Sequence, residues 1–313
     1  MHYTSRFPVT GPGLSNFSFP ADQALMVVGD SHGQSAALRD MLDGLGRFVT
    51  PGKRRHLVFL GDFVDRGPDS AGCLQATFHE AADRAGADEV TYLPGNHELL
   101  MADALEAARD GLNMGSRTPA ECWSMNGGAS FLVEEYKKMG IDMPKDSHEI
   151  VNKFATNIDA ITPGDMSFAE FVRSWPSHFR MGDVLCVHAG ITPKKPHQYT
   201  FELTQKEHFP ESVMRDELSQ RHWAWIRDKF LAWNGGWPEC GTQGADGCLV
   251  LHGHTVPANA RASKLEHGED VRSVFSRMET NARICLDGGA ARDVGVAGAI
   301  ITDDGVRVAW TPC

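Results

Sequence analysis

Long apolar runs are missing from this chain. Nowhere do the roughly 18 consecutive apolar residues of a membrane-spanning helix occur, and the opening MHYTSRFPVTGPGLSNFSFP lacks the apolar centre of a secretion signal. We therefore expect a cytoplasmic protein with no membrane partner. Closely spaced cysteine pairs are also missing. The seven cysteines, Cys73, Cys122, Cys186, Cys240, Cys248, Cys285 and Cys313, show no C-x-x-C spacing and are odd in number. Such a pattern points to free, mostly buried thiols rather than a disulfide framework or structural zinc. Cys186 and Cys285 lie inside strand-like runs, and the alternative is that Cys240 and Cys248 pair or bind metal. An excess of positive charge is lacking too. A formal net charge of −11 excludes broad binding to duplex nucleic acid, which needs many Lys and Arg contacts to phosphates. It leaves open a small phosphorylated partner, because metal ions and a few arginines reverse the field locally. No internal repeat or low-complexity tract is present.

What remains is ordinary globular material: 313 residues, 42% hydrophobic and 23% charged, enough for a sizeable core. Short Val- and Leu-rich runs at 25–28, 57–60, 90–93, 184–187 and 249–251 read as buried strands. Each leads into a motif: GDSHG at 29–33, GDFVDRG at 61–67, GNHE at 95–98, HAG at 188–190 and HGHT at 252–255. Every candidate polar residue thus follows the C-terminal end of a strand, where loops of an open α/β sheet converge. Together the motifs offer the oxygen and nitrogen donors that two divalent metals require.

Residues 1–24 are rich in Pro, Gly and Ser and read as an irregular lead-in. The rest, 25–313, reads as one domain, because the motifs extend from Asp30 to His254. Helical patterns over 34–45, 70–85 and 98–109 follow the first three motifs, giving repeated β-loop-α units and a mixed or parallel sheet. From about 111 to 180 the strands vanish and helical patterns over 128–136, 148–154 and 168–175 take over, as in a helical insert or cap shaping access. HWAWIRDKFLAW at 222–233 reads as an aromatic helix, and 258–280 as a long polar excursion. Runs at 283–286, 296–301 and 306–310 read as strands, the last two as a hairpin turning at Asp303-Asp304-Gly305 and completing a second sheet. The expected fold is α/β, a two-sheet β-sandwich flanked by helices.

In this order the five motifs resemble the phosphoprotein phosphatase (PPP) branch of the calcineurin-like metallophosphoesterases, particularly its bacterial members. The intervals Asp30–Asp62 and Asp62–Asn96 each hold one helix and one strand, as that fold requires. The resemblance covers about 25–310. It implies a hydrolase holding two divalent ions, with manganese the expected activator in vitro and iron or zinc as alternatives. Asp30 and His32 resemble ligands of one ion, Asp62 the carboxylate shared by both, and Asn96, His188 and His254 ligands of the other. A hydroxide bridging the ions would attack phosphorus in line.

By the same resemblance His97 is the general acid and Asp65 the carboxylate that orients and charges it. Arg66 grips phosphate oxygens in bidentate fashion. Arg227 of AWIRDKF matches a second phosphate arginine, the alternative being a surface ion pair with Asp228. His252 reads as a hydrogen-bonding neighbour of the ligands and Glu98 as a first-turn carboxylate of its helix. Trp123, Asn126, Gly127 and Gly128 match a W-x-x-N-G-G stretch of bacterial relatives and are placed at the substrate mouth. Trp223, Trp225, Trp233 and Trp237 are either core or a platform for a nucleotide base. Ser31, Val256 and Asp287-Gly288-Gly289 depart from the commoner residues without removing a ligand or an arginine.

Two activities share these motifs. One is a phosphomonoesterase acting on phosphoprotein side chains, Ser/Thr ahead of Tyr. The other is a nucleotide pyrophosphohydrolase resembling diadenosine tetraphosphatases. A non-catalytic binding scaffold would be expected to lack ligands or His97, and this chain retains them.

Overall fold

A computed structural model describes residues 1–3, 17–48, 51–111, 118–143, 147–193, 221–237, 247–256, 279–280 and 282–313. Cys240, residues 4–16 of the lead-in and nearly all of the 258–280 excursion lie outside the described residues.

Strands β1 (His2–Tyr3), β2 (Gln23–Val28), β3 (Arg54–Phe59) and β4 (Glu89–Tyr92) belong to one sheet, in which β2, β3 and β4 run parallel. Crossovers α1 (Ser35–Phe48), α2 (Ser70–Gln75) and α3 (Ala81–Ala85) join the parallel strands, as the repeated β-loop-α pattern predicts. Between α2 and α3 the helix widens to a π turn at Ala76–Glu80. The next helices are α4 (Asn96–Asp110), α5 (Pro119–Trp123), a second π turn at Ser124–Gly128, α6 (Ala129–Met139), α7 (Ser147–Ile161) and α8 (Phe168–Ser174). The chain then enters β5 (His178–Met181) and β6 (Val184–Val187), and continues through α9 (Asp228–Ala232), β7 (Leu249–His252), β8 (Glu279–Thr280), β9 (Arg283–Cys285), β10 (Gly295–Thr302) and β11 (Gly305–Pro312).

Strand order is β1-β11-β10-β2-β3-β4 in the six-stranded sheet and β5-β6-β7-β9-β8 in the five-stranded one. The two-sheet α/β architecture flanked by helices is as expected. The terminal hairpin is not where the sequence reading put it. It forms as expected, with Thr302 opposite Gly305, yet β10 pairs antiparallel with β2 in the first sheet, and only β9 joins the second. Its residues are almost all buried, and a fully buried strand fits either sheet; pairing decides. The lead-in is not wholly irregular, because His2–Tyr3 pairs with Trp310 and Ala309. Strand β5, half-buried with no clean alternation, escaped the sequence reading.

Both sheets feed a continuous core of buried side chains. Strand β4 is an edge, partly exposed, and edges need cover. Aromatics supply it: Tyr92 lies 5.4 Å from Trp175 between ring centroids, and Phe78 lies 5.3 Å from Phe171. Helix α8 is thereby fastened over the first sheet.

The 222–233 segment is helical only over α9. Residues 223–225 form a turn, because the Trp223 carbonyl accepts from the amides of Ala189 (2.9 Å) and Gly190 (3.3 Å) instead of continuing a helix. The segment is spent on holding the HAG loop.

Trp175 is nearly fully buried within the aromatic cluster. Replacing it with alanine should cost about 3–5 kcal/mol, read as a lower midpoint of urea unfolding with little change in slope.

Candidate active site

Five loops meet where the sequence reading expected. Five of the seven non-glycine residues with positive φ among the described residues belong to them: His32 (38°), Asp62 (55°), Asp65 (72°), Arg66 (70°) and His254 (65°). Such backbone is costly for residues with a Cβ and persists only where surroundings over-determine it. Here they do. The Asp62 carbonyl accepts from Ser31 N (3.0 Å) and His32 N (2.9 Å), and Gly253 N donates to the His188 carbonyl (2.7 Å). Loop-to-loop contact is so close that a Cβ on Gly95 would overlap the Asp62 carboxylate, and one on Gly253 the Asp30 carboxylate.

Glu98 does more than occupy a first helical turn. Fully buried, its carboxylate accepts from Asp62 N (2.7 Å), Phe63 N (2.7 Å) and Gly95 N (2.9 Å), joining the second motif to the third. Nothing in the local pattern of GNHE announces a partner 36 residues upstream.

Asp62 stands at the centre. Donor atoms of His32, Asp62 and His97 lie within 4.8 Å of one another, as do those of Asp62, His188 and His254. Asp62 Oδ2 is 3.5 Å from His32 Nε2 and 3.4 Å from His188 Nε2, and His188 Nε2 is 3.2 Å from Asn96 Oδ1. A carbonyl can only accept, so His32 Nδ1 donates to Val64 O (3.0 Å) and His188 Nδ1 to Leu60 O (2.8 Å), turning each Nε2 toward Asp62. Asp30 is buried and lies outside both groups; its oxygens accept from His254 N at 2.9 and 3.2 Å. His252 turns elsewhere, its ring edge-on to Phe230 at 4.8 Å and its Nδ1 3.0 Å from Gly253 O.

Charge at the centre is unbalanced. Burial pushes the Asp30 carboxyl well above its ordinary range, with Asp287 and Asp62 adding to the rise, and lifts Glu98 to about 7 and Asp287 to about 6. Burial works against a charge on His188 as well, but Asp62 outweighs it and raises that imidazole. Burial brings His32 down to about 3 and His254 well below the usual value. His254 Nε2 is buried with no hydrogen-bond partner. A crowd of buried carboxylates, a carboxylate shared by two donor groups and an orphaned imidazole nitrogen fit a pair of divalent cations.

Beside this centre His97 Nδ1 lies 2.7 Å from Asp65 Oδ2, both residues buried. The sequence reading expected Asp65 to strengthen the histidine's hold on its proton. Burial brings His97 down to about 4 against the opposing charge of Asp62, and pushes Asp65 well above the carboxylate range against the Trp123 hydrogen bond. Arg66 is exposed, with Nη1 3.3 Å from His32 Nε2. Arg227 also reaches the site, its Nη1 donating to Thr255 Oγ1 (3.0 Å) and His254 O (3.4 Å). Buried Arg283 helps hold that segment by donating to the carbonyls of Phe230 (2.7 Å) and Trp233 (3.0 Å). Among the tryptophans, Trp223 and Trp237 are core, whereas Trp225 is half-buried with its ring centroid 6.1 Å from that of His254. Cys73, Cys186 and Cys285 are buried free thiols, Cys313 is an exposed one, and Cys248 is buried. No described helix is long and apolar enough to cross a membrane.

Over 105 residues the chain is 37% identical to serine/threonine-protein phosphatase 1 of Salmonella typhimurium, a match covering 34% of this chain and 39% of that protein. Over 76 residues it is 33% identical to the asymmetrical bis(5'-nucleosyl)-tetraphosphatase PrpE of Oceanobacillus iheyensis, covering 23% of this chain and 29% of that protein. The matched segments thus span well under half of either relative. A solved cold-active protein tyrosine phosphatase superposes with a TM-score of 0.46 at 15% identity, covering 96% of this chain and 80% of that one. The family model described as calcineurin-like phosphoesterase matches residues 24–286, most of the described fold and every loop of this site, and the chain belongs to that family.

Proposed function

We propose that the protein is a dimetal phosphomonoesterase acting on phosphorylated protein side chains, with phosphoserine and phosphothreonine ahead of phosphotyrosine. The observation that carries this reading is the buried Asp65–His97 pair adjoining the Asp62 donor groups, with exposed Arg66 next along the chain. Asp30 and His32 would hold one ion, Asn96, His188 and His254 the other, and Asp62 both. When bound, two divalent ions supply positive charge for the phosphate and a nucleophilic water at neutral pH.

The remaining work falls to the chain's own groups. Arg66 and Arg227 orient the phosphoryl oxygens and stabilise their charge in the transition state. His97 Nδ1 faces Asp65, which leaves Nε2 to protonate the departing oxygen. A phosphate dianion beside the ring favours the protonated imidazole, opposing the effect of burial. Serine and threonine alkoxides are strong bases, so their departure depends most on that proton.

A nucleotide reading has its own support. The local similarity to an asymmetrical bis(5'-nucleosyl)-tetraphosphatase accompanies a half-buried Trp225 beside His254, where a base could stack. A parallel assay of Mn-loaded protein on a phosphoserine/phosphothreonine peptide, a phosphotyrosine peptide and diadenosine tetraphosphate separates the readings by kcat/KM. We expect the phosphoserine/phosphothreonine peptide to lead; a lead for the dinucleotide would overturn the reading.

Substituting His97 with Asn should lower kcat on a phosphoserine peptide by about 10²–10⁴-fold and leave p-nitrophenyl phosphate, whose leaving group needs little protonation, much less affected. Full activity on both would remove His97 from the mechanism. Chelation should abolish turnover and lower the melting temperature, and Mn(II) should restore both, since an ion that binds only the folded state stabilises it. Asp62→Asn should weaken the Mn(II)-dependent rise in melting temperature along with activity.

A further inference from the structure

The helical segment between α4 and β5 reaches into the site at the W-x-x-N-G-G stretch. Trp123 is completely buried at the end of α5, and its indole N–H lies 3.1 Å from Asp65 Oδ1 and 3.0 Å from Oδ2. Oδ2 also faces His97, whereas among the described residues Oδ1 accepts from the indole alone. A carboxylate held on one oxygen can swing about its Cβ–Cγ bond. Bridged by a second donor, it has a defined plane, and the imidazole bonded to it has a defined direction.

The indole cannot drift. Phe154 of α7 packs against it at 5.4 Å between ring centroids, and Phe131 of α6 meets Phe154 edge-on at 4.8 Å. On another side the ring lies against Gly128, where a Cβ would overlap it. Preceding Gly127 takes φ 125°, a conformation for glycine, and its α-carbon lies so near Arg66 that a Cβ would stand 2.8 Å from Arg66 Cγ. Ser130 Oγ accepts from Arg66 N (2.9 Å) and donates to Gly127 O (2.7 Å). Asp65 and Arg66 both have left-handed backbone, and this π turn is packed against them.

We propose that Trp123 is a positioning residue for the reaction: it fixes the Asp65 carboxylate and through it the direction of His97, so the helical insert is part of the catalytic apparatus. The proposal rests on His97 as proton donor. It accounts for Trp123, Gly127 and Gly128 of the stretch, which touch Asp65, Arg66 and the indole respectively.

The test uses the whole 313-residue chain, Mn-loaded, with a phosphoserine peptide and p-nitrophenyl phosphate. Trp123→Phe keeps the aromatic bulk and removes the donor. It should lower kcat on the peptide by about 10- to 100-fold, the loss of a hydrogen bond to a charged group, with KM little changed and p-nitrophenyl phosphate much less affected. In an Asp65→Asn background it should add nothing, because both changes act through one group. Equal losses on the two substrates, or losses that multiply with Asp65→Asn, would overturn the proposal. Gly128→Ala, which pushes the indole aside while keeping its N–H, should give the same pattern and serves if Trp123→Phe does not fold. His97→Asn run alongside separates the failures. If its loss is equal on the two substrates, the donor assignment is wrong; if its loss falls selectively on the peptide while that of both indole variants does not, only the role of Trp123 is wrong.

Discussion

The carboxylate of Glu98 receives three backbone amides that no sheet or helix ladder satisfies, those of Asp62, Phe63 and Gly95. Buried amides without partners cost about 1–3 kcal/mol each. This carboxylate allows the chain to leave β3 in a left-handed turn and still be satisfied. With it in place Asp62 is held against the start of α4, His97 N donates to Asp62 Oδ1 (3.1 Å), and the second and third motifs act as one unit. The shared carboxylate, the Asp65–His97 pair and Arg66 all sit on that unit.

Strain and satisfaction are coupled here. Left-handed residues concentrate in the site loops, and His32, Asp62, Arg66 and His254 are each braced by a hydrogen bond of their backbone to another segment of the chain. Glycines occur where two loops touch at backbone distance, as at Gly95 and Gly253. A backbone so constrained presents donor groups with little freedom to rearrange, which is what a charged transition state requires of its surroundings. The second sheet contributes in the same manner. HAG and HGHT follow parallel neighbours β6 and β7, so His188 and His254 arrive side by side, 5.1 Å apart between ring centroids.

Much of this was legible beforehand. Buried strands advertise themselves by unbroken Val and Leu, and motifs placed after them announce where they meet. The positions of β2, β3, β6 and β7 and the grouping of Asp62, His32, His188 and His254 follow from that pattern. Other features lack a local signal. A half-buried strand such as β5 shows neither alternation nor an apolar run. The 222–233 segment has helical spacing, but hydrogen bonds from the HAG loop claim the Trp223 carbonyl and stop the helix until 228. The downward shift of His97 by burial depends on segments packed over it and has no local signal either.

Which donors exist and on which strand ends they stand is written locally along the chain, because apolar runs and glycine turns are local properties. Tertiary structure decided what faces them: Glu98 crossing between loops, Trp123 entering from α5 to meet Asp65, and the terminal hairpin joining the first sheet. Those choices depend on buried polar groups finding partners far along the chain, and on a strand buried on both faces being equally at home in either sheet until its pairing is made.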